Sequence, residues 1–510
     1  MIRSLAIAAL FTTPLLAQEK AQDHLRFTNG DQLEGRFGGI NPSGKIFWER
    51  PDIAAPIELQ RDKVRQVVLR NARPVSPLTD PCHITLVNGD RIPGRVAAAD
   101  EHEMTLESTA AGTITLPRDT IAAISPNPFG GRLLYAGPFD EKGWHIVPVD
   151  RGGDDPFAAD GAGPRADNKK KPKDDEENKP AWSHAGAAWY SRGGGDALTY
   201  DAGMPDRSLL RFKLGWRSRP TVAVAFHADF TQPVPKKKEG DGDEGEDRPP
   251  VGMMPNFARL FGTAYVLNFN SGYVHLQRTG FDEEGNPEVE RVRVGATTVR
   301  LPDTGDAIFE IRCDRKEGSI SVYINNEFAV QWYTAEEGEA PDPSGTSYKA
   351  PGGGFGFHVQ GGTTQIRISD IVVAEWNGMT DSARSMESEQ QDIVLLNNGT
   401  DRFSGRVRSI HENQVEIEAK YASLKIPMQD VAEIHFAREG RRKTEETPES
   451  AITVHMQPVG RISGVPLSAA EGRMQIESQL AGKIDLDLAP AVVLEFQSTG
   501  GFLDEWEDDL

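Results

Sequence analysis

The chain has 510 residues, 38% of them apolar, which is enough for more than one buried core and, by length, for about three domains. Its formal charge of -21, from 56 Lys and Arg against 77 Asp and Glu, argues against a nucleic-acid or anionic-membrane partner, because a phosphate surface would be repelled unless a local basic patch overrode the total. The 51 Gly and 34 Pro favour many short strands over long helices. The densest basic runs, Lys169 to Lys171 with Lys173 and Lys236 to Lys238, sit among compensating acids and read as solvated loop.

Residues 1–17 carry a lone Arg3, an apolar stretch from Leu5 to Leu16 and a small Ala17, the pattern of a signal peptide. Pro14 interrupts the stretch, which is too short to span a bilayer. No later segment is apolar for long enough to be a transmembrane helix, so the expectation is an exported protein, periplasmic or extracellular, without an integral membrane segment once the signal is removed.

The phrase from Leu25 to Phe37 (LRFTNGDQLEGRF) then sets the domain map, because it returns three times. It recurs from Ile84 to Val96 (ITLVNGDRIPGRV), from Ile393 to Val407 (IVLLNNGTDRFSGRV) and, degraded, from Ile452 to Val465 (ITVHMQPVGRISGV). Each copy continues into three more short alternating stretches. Asn-Gly suits a tight hairpin turn because both residues tolerate positive φ. The Gly that follows, at 35, 94, 405 and 464, suits a strongly bent strand. Units of this length with five short strands resemble Sm-like small barrels. They are expected over residues 22–72, 80–127, 392–438 and 450–498, with their Asn, Asp and Gly serving the turns rather than a ligand.

Between the second and third copies lies a longer region, residues 129–378. Residues 152–180 and 232–250 are too polar and charged to offset the entropy of ordering, and are expected to be disordered inserts. Within the second, GDGDEGED lacks the order of a calcium loop, so no cofactor is expected and structural calcium finds no support. Strands are expected over 209–216, 221–230, 265–270 and 273–277. Residues 308–332 and 353–376 alternate most clearly: Phe309, Ile311, Cys313, then Ile320, Val322, Ile324, then Phe328, Val330, Trp332. With GGFGFHVQGG and QIRISDIVVAEW, these segments resemble the late strands of concanavalin A-like and laminin-G-like jelly rolls. The fold class is therefore all-β, a central antiparallel jelly-roll sandwich with two small five-stranded barrels before it and two after it. Residues 379–391 read as a linker and 499–510 as an acidic tail. The two cysteines, Cys82 and Cys313, fall in different expected domains, and Cys313 is in phase with the core.

There is no Gly-x-Ser-x-Gly elbow, His-Glu-x-x-His helix, phosphate loop or paired-Cys spacing. The two Glu around an Asp that laminarinase-like jelly rolls place on one strand are also absent. Strand phase supplies the remaining signal. With Val222, Val224 and Phe226 facing inward, His227 and Asp229 should face out, and the same alternation should expose Asn268, Asn270, Tyr273, His275, Gln277 and His358. Aromatic rings, imidazoles and amides on one sheet face are what sugar recognition uses, since a ring stacks on the pyranose and planar amides meet its hydroxyls. Polar residues also line the solvated side of most antiparallel sheets. The expected function is a non-catalytic binding protein whose partner is a glycan or polysaccharide. Two alternatives stay open: a glycoside-processing enzyme on the same sandwich, suggested by a resemblance to secreted 3-keto-disaccharide hydrolase-like domains, and an envelope scaffold that binds proteins through its repeats.

Overall fold

A computed structural model describes residues 22–69, 82–149, 181–233, 257–292, 299–334, 348–378 and 388–496, apart from isolated positions within them. The expected signal peptide, first insert and acidic tail, and most of the expected second insert and of the expected 379–391 linker, lie outside the described residues.

The central region forms two antiparallel sheets packed face to face. One runs Trp182–Ala185, Ala188–Ser191, Ile366–Glu375, Arg207–Trp216, Gly305–Asp314, Ser319–Ile324 and Glu327–Tyr333, with Leu133–Gly137 also pairing on Ile366–Glu375. The other has seven strands in the order Trp144–Val147, Ala197–Asp201, Gly354–Val359, Thr221–Ala228, Ala264–Asn270, Val274–Phe281 and Pro287–Arg291. Their inner faces share one aromatic-rich core, in which Phe212 and Phe269 both stack on Phe309, with centroids 5.5 and 4.7 Å away. Cys313 belongs to this core, and both cysteines are buried free thiols.

The four repeated phrases build four units with the same pairing. In the first, Asp23–Phe27 pairs with Gln32–Ile40 on one side and Val64–Val68 on the other, while Lys45–Glu49 and Ile57–Gln60 extend the sheet beyond Gln32–Ile40. Residues 392–435 and 452–495 repeat this order. So do residues 83–125, where the second strand is broken at Gly94 into Arg91–Pro93 and Arg95–Ala99. The repeated glycine has a specific cause. A Cβ at Gly35, Gly94, Gly405 or Gly464 would lie 2.3 to 2.5 Å from the carbonyl oxygen of a glutamate in the next strand, Glu49, Glu107, Glu418 or Glu477. The bend comes just after it, where the register slips by one residue in every unit: between Phe37 and Gly39, Val96 and Ala98, Val407 and Ser409, and Pro466 and Ser468.

The units do not stand apart. The last strand of the first pairs with the last strand of the fourth, Val68 opposite Val493 and Val67 opposite Leu494. The second joins the third in the same way, Ile124 opposite Ile434. Arg91 opposite Arg461 links the second to the fourth. One continuous apolar cluster runs through all four, from Leu25 and Trp48 through Leu106 and Ile417 to Met474. The pairing of the last strands is therefore nested, outer with outer and inner with inner, with Arg91–Arg461 as a cross-link between second and fourth and the sandwich inserted between.

Two outcomes test this account. Gly405→Ala places a methyl group against the Glu418 carbonyl and is expected to cost about 1–3 kcal/mol in urea unfolding. Residues 22–127 expressed alone lack their paired edges and should bind a hydrophobic dye, a signal lost on mixing with residues 388–496; dye binding unchanged by that mixing would contradict a shared core.

Candidate functional site

Alternation divides the seven-stranded sheet cleanly. Val222, Val224, Phe226, Leu267, Phe269, Val274 and Leu276 enter the core between the sheets, and Ala223, Ala225 and Val266 take the opposite, outer face. Across that outer face the strand registers align a row: Ala197 opposite His358, His358 opposite Ala223, Ala223 opposite Asn268, and Asn268 opposite His275. The next row runs through Gly356, Ala225, Val266 and Gln277 to Arg291.

A short helix, Phe257–Phe261, covers one end of this face and was not anticipated. Phe257, Leu260 and Phe261 pack on Ala197, Ala223, Ala225 and Val266, forming a second small core. The run of small residues leaves the helix room to sit close. The sequence signal for it, FARLF after a proline, is too short to separate from loop.

This cover changes the reading of several expected site residues. His358 is 3% exposed, with its ring edge-on to Phe257 at 6.0 Å, so it is an interior residue and not part of an open face. Burial pushes its imidazole down to about 4, against the opposing pull of the Asp196 and Gly195 carbonyls and the Asp196 charge. His227 departs further. The pairing register shifts between Phe226 and Ala228, and His227 takes a left-handed φ of 51°, which turns its side chain into the molecule. It is fully buried, its Nε2 lies 3.0 Å from Ser208 Oγ, and its Nδ1 bonds the Tyr348 hydroxyl. Burial first, and the nearby Arg315 charge second, hold it far below the usual histidine range, so it is a neutral bridge joining both sheets. Asp229 is a turn residue that accepts backbone N–H bonds from Thr231 (2.9 Å) and Thr263 (2.8 Å). Asn270 similarly caps the turn that presents Tyr273, accepting from Gly272 (2.8 Å) and Tyr273 (3.0 Å).

Asn268, Tyr273, His275 and Gln277 are brought together on the face beyond the helix. Asn268 is 5% exposed, and its Oδ1 accepts from Gln360 Nε2 at 2.7 Å, which fixes both amides. Tyr273 is 50% exposed, and its ring lies 5.7 Å from that of half-buried His275, with a 31° angle between planes. Partial burial, with a smaller contribution from Arg291, lowers the His275 pKa, so its ring is neutral at pH 7. Its Nδ1 is buried and meets no hydrogen-bond partner among the described residues. Gln277, in the row below, is 9% exposed, so it and Asn268 lie on the expected face but are buried rather than exposed, screened by the side chains and helix around them. The result is a ring platform beside immobilised amides, able to stack on an apolar ring face and to exchange hydrogen bonds at its edge.

No group of His, Cys, Asp and Glu among the described residues could hold a metal ion, and no helix among them is long and apolar enough to cross a membrane. A cavity of about 540 Å³ opens where the first and fourth units meet, but its two arginines are already engaged, Arg36 with Glu49 (3.8 Å) and Arg473 with Asp485 (3.0 Å).

No protein-family model matches the sequence, and no curated protein does. Among solved structures, the chain is similar to a Bacillus subtilis protein of unknown function with a galectin-like fold, at 13% identity and TM-score 0.27, covering 48% of this chain and 96% of that one. It is also similar to the carbohydrate-binding module CBM66 from Bacillus subtilis, at 8% identity and TM-score 0.19 over 39% of this chain and 92% of that one. A third is LamAcat from Zobellia galactanivorans, at 9% identity and TM-score 0.25 over 47% and 94% respectively.

The buried His358 gives a pH prediction. Unfolded it takes up a proton near 6.5, folded only near 4, so the native state binds fewer protons between those values. Its contribution to stability is complete above pH 6.5 and is lost as pH falls toward 4, by about 3 kcal/mol over the interval. Urea unfolding of His358→Asn should show a correspondingly smaller loss between pH 7 and pH 4, the remaining loss coming from the other groups whose pKa folding lowers, among them His227, His275 and Glu495.

Proposed function

We propose that this protein is an exported, non-catalytic carbohydrate-binding protein whose ligand lies on the uncovered part of the seven-stranded sheet's outer face. The observation that carries the reading is the exposed Tyr273 ring set against neutral His275, beside the Asn268–Gln360 amide pair. Tyr273 would stack on the apolar face of a sugar ring. His275 would meet a hydroxyl through the accessible edge of its half-buried ring, as would the amide oxygen of half-buried Gln360, whose Nε2 is already given to Asn268. Because Asn270 caps the Tyr273 turn and Gln360 locks Asn268, little side-chain entropy remains to be lost on binding. The four units would then act as a carrier that presents the sandwich.

Titration calorimetry against a glycan identified by array screening tests the reading. Tyr273→Ala and His275→Ala are each expected to weaken binding about 10- to 100-fold, with circular dichroism unchanged, the worth of one stacked ring or one buried hydrogen bond. Saturable binding that neither variant alters would place the ligand elsewhere.

A further inference from the structure

The same face has an unusual charge pattern. Arg291 stands directly opposite Gln277 on the edge strand, and so projects on the outer face, diagonal to His275. It is exposed, and no carboxylate pairs with its side chain among the described residues. The acids next to it in sequence are directed away. Glu290 projects from the other side of the strand, where Arg278 Nη2 holds it at 2.9 Å. Glu288, two residues earlier, shares Glu290's side.

The absence of acid extends along the strip. On the strands Ala264–Asn270, Val274–Phe281 and Pro287–Arg291, the outward residues are Ala264, Val266, Asn268 and Asn270, then His275, Gln277, Thr279 and Phe281, then Pro287, Val289 and Arg291, with Tyr273 at the turn. None is Asp or Glu, in a chain that carries 77 of them and a net charge of -21. With His275 neutral, the strip presents one permanent cation and no anion. Several surface arginines elsewhere are matched: Arg219 with Asp303 at 2.9 Å, Arg408 with Glu101 and Glu418, Arg473 with Asp485.

We propose that the ligand of this face is an anionic glycan, whose carboxylate or sulfate is taken by Arg291 while the ring carrying it stacks on Tyr273. The inference rests on the carbohydrate reading above and narrows it. A guanidinium offers two parallel N–H donors that match the paired oxygens of either group, and a face without carboxylates spares such a ligand the repulsion that the rest of this acidic molecule would exert. Neutral His275 contributes hydrogen bonding without competing for the charge.

The test is a glycan array on which each uronate-containing or sulfated glycan is printed beside its methyl-esterified or desulfated counterpart, probed with the full chain, Arg291→Gln and Tyr273→Ala. The expected result is binding to a charged member at least tenfold tighter than to its neutral partner, a gap that Arg291→Gln closes, and loss of both by Tyr273→Ala. The uronate and sulfate arms tell which anion is read. Equal binding of charged and neutral partners, or a gap that survives Arg291→Gln, overturns the anionic assignment and leaves the carbohydrate reading intact. Silence across the array, with circular dichroism showing a folded protein, overturns both.

Discussion

The pleat of the β-strand sends successive side chains to opposite faces, and the organisation of the sandwich depends on that constraint. Once Leu267, Phe269, Val274 and Leu276 are committed to the aromatic core, Asn268 and His275 have no other place than the outer face, opposite each other. The core thus fixes the site without touching it. The turn between those strands is equally determined, since Asn270 accepts two backbone N–H bonds and leaves Tyr273 as the exposed member. The face is supported by apolar packing on the far side of the same strands.

The one break in alternation shows how strong the constraint is. At His227 the chain inserts an extra residue in a left-handed conformation, and the imidazole moves from the surface to the fully buried contact between Ser208 and Tyr348. A polar ring in that position is tolerated because both nitrogens find partners; an unpartnered one would carry the full cost of desolvation.

The all-β class and the phases of the sandwich strands were legible in the sequence, because period-two alternation is local and survives any packing arrangement. Tyr273, His275 and Gln277 could be grouped for that reason alone. His227 could not, because a bulge is set by the φ of a single residue and leaves no periodic trace. His358 was misplaced for a different reason: whether an outward side chain meets water depends on what lies over it, and the five-residue helix over this one is too short to announce itself. Arg291 went unnoticed because its value lies in what is missing around it, a property of the assembled face. In the repeats, the glycines at 35, 94, 405 and 464 were visible as a pattern, but the glutamate carbonyl that excludes a Cβ at each is a through-space neighbour in the next strand.

The nested joining of the units bears on how the chain reaches this state. Val68 must find Val493, a partner roughly 400 residues away, and closing so long a loop is entropically costly until something shortens it. The inserted sandwich provides the shortening. Once its sheets have formed, its two ends are held together, with Leu133–Gly137 paired to Ile366–Glu375, and the second and third units emerge side by side. Their union in turn brings the first and fourth within reach. Loop-closure entropy therefore favours assembly from the inside out, like a zip closed from its middle, and a first unit made before the fourth presents an unsatisfied strand edge to whatever is nearby.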